Sequence, residues 1–507
     1  MSLLDRRAAG LVLHPTSLPG PHGIGDFGPD AYRFVDWLAS AKQTLWQWLP
    51  TTPIGPGDSP YQSPSAFAGS PLMVALEPLV ERGWLDAIEA PVEPWPSGRV
   101  DFRRVVPWRD AHLRRAAAGF FERAGSAERA EFAAWCAREA GWLDDYALFM
   151  ALFNAHGQQP WWLWAEPLRR RDAAALAAAR RDHANEMALQ CFVQWCWDTQ
   201  CRALKAYANA RGITLVGDMP IYVADNSADV WARQDLYELG PDGLPVAVAG
   251  APPDDLGPDG QRWGNPLYRW ERVRAEGYAW WAERVKRVLA QADIVRIDHF
   301  RGFAAYWRIP ASAPTARDGE WIEGPGLALF QAIAEQLGTL PIIAEDLGLI
   351  TPDVVELIEA CGYPRMKVLV FAFGGDGTHP YLPHNFERST VVYTSTHDTQ
   401  TLRGWWSGAG RAERHFAGAY LGCDDAGLHW AAIRACMNSV SALALFPLQD
   451  VLGLGNDHRM NLPGTLGGSN WAWRFEWDML GDEPARVLAS MAEVSGRATA
   501  SVPAAHR

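Results

Sequence analysis

The chain has 507 residues, with 46 Lys and Arg set against 59 Asp and Glu for a formal net charge of −13. It carries no basic run with which to grip nucleic acid or an anionic membrane, so a neutral or cationic substrate is expected. No 18-residue apolar run is present and residues 1–7 lack the apolar core of a signal peptide, which predicts a cytoplasmic protein that neither crosses nor binds a membrane.

Taken in chain order, short apolar and β-branched runs predict eight strands, over 10–13, 44–49, 214–218, 294–298, 341–344, 367–371, 391–394 and 441–446. Eight such runs, separated by stretches long enough for a crossover helix, predict an α/β fold: a (β/α)8 TIM barrel forming one catalytic domain over 1–507. Residues 71–211, between the second and third strands, have helical periodicity and are too long for a barrel loop, so a helical insertion subdomain is expected there. Residues 224–269 form a second insertion, rich in Gly, Pro and Asp, that reads either as a mobile lid over the site or as an ordered surface loop. The seven cysteines show no CxxC spacing and read as reduced thiols. Cys191, Cys196 and Cys201 step by five residues, each turning about 140° around a helix, and so cannot converge on one ion. Neither a metal nor another cofactor is called for. The 26 Trp suit a protein that stacks on sugar rings, although most are expected to pack in the core.

Polar motifs follow the predicted strands, where an α/β barrel gathers its catalytic groups. They are His14-Pro15-Thr16-Ser17, the loop from Asp58 to Ser65, Gly217-Asp218-Met219-Pro220, and three acidic strand ends. Those ends are Arg296-Ile297-Asp298-His299, Ala344-Glu345-Asp346 and Thr396-His397-Asp398. Paired carboxylates with further negative charge nearby are the equipment for cleaving a glycosidic bond through an oxocarbenium-like transition state. Arg296 lies two residues before Asp298, on the same strand face, where it can keep that carboxylate ionised. Other readings stand beside these. Asp398, followed by Thr399-Gln400-Thr401, also suits a helix N-cap, Asp346 suits a cap or ion pair, and His299 and His397 suit packed core histidines.

The set of motifs resembles the amylomaltases, the 4-α-glucanotransferases or disproportionating enzymes of glycoside hydrolase family 77 within the α-amylase superfamily. The likeness runs from His14-Pro15-Thr16-Ser17 through Gln261-Arg262-Trp263-Gly264 and Arg296-Ile297-Asp298-His299-Phe300-Arg301-Gly302 to Asn461-Leu462-Pro463-Gly464-Thr465. It implies transfer of α-1,4-glucan segments between malto-oligosaccharides with retention of configuration. A retaining α-glucan hydrolase and a non-catalytic glucan-binding scaffold are the alternatives. The resemblance implies Asp298 as nucleophile, Glu345 as general acid and base, and Asp398 as stabiliser of the transition state. Glu345 must then stay protonated near neutral pH, which neighbouring carboxylates favour. The resemblance also places Tyr61, Asp218 and His397 around the donor sugar, with Gln261 and Trp263 toward the acceptor, and Arg296 and His299 are substrate-binding candidates beside the catalytic carboxylates. Asp376 and Asn470 join them as further substrate-binding candidates, for which loop structure is an equal explanation. The chain departs from the family where Pro252-Pro253-Asp254 runs into Asp255-Leu256, since many relatives carry Tyr-Phe there.

Overall fold

The computed structural model describes residues 6–253 and 258–498. Twelve strands occur among them. In chain order they are β1 (Ala8–Val12), β2 (Leu45–Gln47), β3 (Thr214–Pro220), β4 (Ala247–Ala251), β5 (Gln261–Pro266), β6 (Ile294–Asp298), β7 (Ala305–Pro310), β8 (Glu320–Glu323), β9 (Ile342–Ala344), β10 (Arg365–Val368), β11 (Thr390–Tyr393) and β12 (Leu443–Pro447).

Eight of these close into a parallel barrel in the order β1-β12-β11-β10-β9-β6-β3-β2. They coincide with the eight predicted strands, shifted by a few residues at their ends. β1 and β12 are buried along their whole length, because their side chains point alternately into the barrel and onto the surrounding helices. Gly10 in β1 meets this crowding directly, since a Cβ there would lie 2.0 Å from the carbonyl oxygen of Leu45 on β2. The crossover after β10 departs from the repeat. It holds only 3-10 turns, Leu369–Gly374 and Pro383–Asn385, where the others carry α-helices.

Helices Phe102–Arg123, Ser126–Ala155, Ala173–Asp182 and Ala184–Ala210 fill much of the span between β2 and β3. The last of them packs on β3 and between helices Pro29–Ser40 and Ala279–Gln291, and so takes a place in the ring around the barrel. Asp198 fastens this arrangement. Its buried carboxylate accepts from Arg287 Nη1 at 2.6 Å and from Trp135 Nε1 at 2.9 Å, so one anion joins three helices with its oxygens satisfied. Cys196 and Cys201 are buried on the same helix, and burial pushes the Cys201 thiol up to about 12.

The span 224–269 differs from the turn-dense loop expected there. It contributes β4 and β5 to an antiparallel sheet of order β5-β4-β7-β8, beside the barrel. The strand signal is weak because Ala247–Ala251 is made of small residues with low β-propensity. Gly250 is required there, as a Cβ would fall 2.1 Å from the Gln261 carbonyl oxygen on β5. The Asp255-Leu256 departure lies outside the described residues. Among the described residues no helix is long and apolar enough to cross a membrane.

Candidate active site

The C-terminal ends of the barrel strands bring one set of polar side chains together. Arg296 and Asp298 share a face of β6, and the buried Arg296 guanidinium serves two carboxylates. Its Nη1 lies 2.8 and 2.7 Å from the two oxygens of Asp218 on β3, and its Nη2 lies 3.0 Å from Asp298 Oδ1. Burial pushes Asp298 up to about 6 against the pull of Arg296, so this acid remains largely ionised at neutral pH.

Glu345 follows β9 and is 7% exposed. Its Oε2 accepts the main-chain N–H of His299 at 2.6 Å, and its Oε1 accepts that of Leu347 at 2.6 Å. Burial is the chief cause that lifts Glu345 to about 7 and the Asp298 charge adds to it, while Arg296 and the two N–H groups pull the other way. The neighbouring Asp298 charge thus acts in the expected direction, and loss of water adds a larger contribution. The adjoining Asp346 is structural, accepting from Arg365 Nε at 2.6 Å and from the Met366 N–H at 2.8 Å.

His397 and Asp398 follow β11. Tyr61 joins them to the Arg296 side, its hydroxyl lying 2.8 Å from Asp218 Oδ2 and 2.9 Å from His397 Nε2. The Tyr61 and His397 rings stack with centroids 5.4 Å apart. Asp398 Oδ2 stands 3.1 Å from His397 Nε2, and Oδ1 accepts from Asn461 Nδ2 at 2.6 Å. Burial alone would raise this carboxyl, but His397 and Asn461 overcome it and hold Asp398 at about 2. The same pairing raises His397 against its own burial. Asp398 is not a helix cap, because Thr401 fills that place for Leu402–Gly408 by accepting the Gly404 N–H.

His299 occupies the left-handed region at φ 56°, and its ring meets Trp263 edge to face at 4.7 Å. Trp263 in turn donates from Nε1 to Gln261 Oε1 at 3.0 Å. Gln261, Trp263 and His299 thus form one side of the site, reached from β5.

Two predicted residues stand apart from this network. Asp376 accepts from the N–H and the hydroxyl of Thr378, at 2.9 and 2.6 Å, and so closes its own turn. Asn470 binds the Leu462 N–H and Thr465, bracing the loop that carries Asn461. Three contributors escaped prediction. Asn461 lies in a motif that by itself assigns it no role, Arg459 donates to the Asp398 carbonyl oxygen at 2.9 Å, and Trp471 lies against Tyr61 at 5.5 Å. Asn461 and Arg459 lie more than 60 residues from Asp398 in sequence, and no local pattern marks them. Among the described residues no cluster of His, Cys, Asp and Glu is suited to hold a metal ion.

A (β/α)8 barrel that gathers three carboxylates at its C-terminal rim has the equipment of an enzyme of glycoside chemistry. The family model described as 4-alpha-glucanotransferase, glycoside hydrolase family 77, matches residues 13–479. The chain belongs to this family of glucan-transferring enzymes, and the hydrolase and scaffold alternatives are not favoured. It is 49% identical to the 4-alpha-glucanotransferase of Thermus thermophilus over 97% of this chain and 99% of that one. It is 45% identical to the enzyme of the same name from Synechocystis, over 98% and 99%. The amylomaltase of Streptococcus agalactiae, solved in complex with acarbose, superposes with a TM-score of 0.94 at 35% identity, covering 97% of this chain and all of that one.

Proposed function

We propose that the protein transfers α-1,4-glucan segments from one malto-oligosaccharide to the 4-hydroxyl of another by two successive displacements. Asp298 attacks the anomeric carbon of the donor, the bond from that carbon to the glycosidic oxygen breaks, and the proton of Glu345 goes to the departing oxygen. The acceptor 4-hydroxyl then attacks the same carbon, its proton passes to Glu345, and the bond to Asp298 breaks. Asp398, held ionised by His397 and Asn461, stabilises the positive charge that develops in both transition states. Tyr61, Asp218, Arg296 and His397 line the donor side, and Gln261, Trp263 and His299 the acceptor side. The observation that carries this reading is geometric: Arg296 Nη2 lies 3.0 Å from Asp298 Oδ1, and the N–H of His299, the residue after Asp298, lies 2.6 Å from Glu345 Oε2, so the two carboxylates are held side by side at the barrel rim.

The helical segment 71–211 and the segment 224–269 are read as insertions into one catalytic domain. A cytoplasmic location is supported by the seven unpaired cysteines, which suit a reducing compartment.

Incubation with pure maltotriose should give glucose together with a ladder of longer maltodextrins. With an α-glycosyl fluoride donor, Glu345→Gln should accumulate one glycosyl unit in intact-protein mass spectrometry. The unit should be absent when Asp298→Asn is added, and a well-folded Asp298→Asn enzyme with near-normal turnover would sink the assignment.

A further inference from the structure

The motif His14-Pro15-Thr16-Ser17 is not used by the mechanism above, yet it sits directly behind the site. His14 follows β1, its carbonyl oxygen accepts the Ser17 N–H at 2.9 Å, and its ring is 5% exposed. The ring borders a cavity of about 30 Å³ that is also lined by Ser17, His397, Thr399, Gln449 and Arg459. Such a volume admits about two water molecules, given roughly 10–15 Å³ for each, and its hydroxyl, amide and imidazole walls supply the polar partners water needs.

Two features bear on hydrogen bonding in this cavity. His14 Nδ1 is buried and has no hydrogen-bond partner in the protein. Burial and the nearby His397 push the His14 ring down to about 3, so it is neutral and one of its nitrogens can only accept. His397 also lines the cavity, and since its Nε2 is engaged by Tyr61 and Asp398, Nδ1 is the ring nitrogen left outside that network.

We infer that water in this cavity accepts a hydrogen bond from His397 Nδ1–H and donates one to His14 Nδ1, making His14 a positioning residue that keeps His397 protonated against Asp398. The charged and titratable groups around His397 are Tyr61, Asp218, Arg296, Asp298 and Asp398, with Arg459 on the cavity wall. Arg296 opposes a proton on His397, while Asp398 chiefly, with Asp218 and Asp298, favours it. The bridge to His14 adds an acceptor for that proton without adding charge. Its link to catalysis rests on the role proposed for Asp398, but the bridge itself is measured without activity.

The test uses long-range ¹⁵N correlation spectra of the full chain, with His14 and His397 assigned by single substitution. In the wild type His14 should show an unprotonated, accepting Nδ1 between about pH 5 and 8. The His397 midpoint should fall by about one pH unit in His14→Leu and stay near the wild-type value in His14→Gln, whose carbonyl oxygen replaces the acceptor. A protonated Nδ1 on wild-type His14 overturns the inference, and needs no variant. So does a folded His14→Leu with an unmoved His397 midpoint, or a His14→Gln that shifts as far as His14→Leu. A shifted midpoint with unchanged turnover upholds the bridge and counts instead against the role given to Asp398.

Discussion

His299 donates its main-chain N–H to Glu345 Oε2 at 2.6 Å, and it is also the residue that follows Asp298 in the chain. One peptide unit therefore ties the position of one carboxylate to that of the other. The tie depends on the left-handed conformation of His299, which aims the N–H across to β9. Retaining chemistry needs its two carboxyl groups at a fixed spacing, and this link supplies it through backbone geometry rather than through flexible side chains.

The conformation at His299 predicts an unusual order of stability. Valine is strained in the left-handed region whereas glycine is not, so His299→Val should be less stable than His299→Gly by about 1–2 kcal/mol in urea unfolding. Equal stabilities would show that the turn relaxes.

Activity should describe a narrow bell against pH. Protonation of Asp298, with its affinity at about 6, removes the nucleophile and lowers kcat/KM on the acid side. Deprotonation of Glu345, at about 7, removes the acid on the alkaline side. The two limbs belong to the coupled pair and not to either residue alone. Initial rates of maltotriose disproportionation in constant-ionic-strength buffers read both limbs, and a plateau reaching unchanged to pH 9 would contradict the state assigned to Glu345.

Asn461 supports Asp398 through a hydrogen bond to a charged group, typically worth about 1.5–3 kcal/mol. Asn461→Ala should therefore lower kcat/KM by about 10- to 100-fold, mostly in kcat, because the Asp398 charge is needed chiefly in the transition state. Steady-state kinetics separate the alternatives: an effect confined to KM would make Asn461 a substrate ligand only.

Trp263 stands against the ring of His299, whose main-chain N–H binds Glu345, on the side assigned to the acceptor. Transfer requires a sugar hydroxyl to outcompete water at about 55 M, and an oriented, water-excluding acceptor site provides that advantage. Trp263→Ala should lower the ratio of transfer to hydrolysis on maltotriose by about tenfold, or about 1.4 kcal/mol, with ester formation from an activated donor less affected. Quantifying reducing ends and longer maltodextrins in one reaction checks this. Parallel losses on both sides would remove Trp263 from the acceptor site.

The sequence by itself determined the barrel and its acidic rim. A parallel strand buried on both faces is largely apolar, so short apolar runs mark β6, β9 and β11, and Asp298, Glu345 and Asp398 lie at or a few residues beyond their ends. Tertiary structure alone decided what each of them touches. Tyr61 reaches His397 across 336 residues and Arg296 reaches Asp218 across 78, separations at which no periodicity operates. For the same reason Asp376 and Asn470, polar residues in Gly-rich loops like Asn461, cannot be told from it by composition. Two of them brace their own loops and the third holds Asp398. Strands β4 and β5 were hidden because their pairing rests on close backbone approach at Gly250, which needs the absence of a side chain and so leaves no hydrophobic pattern to read.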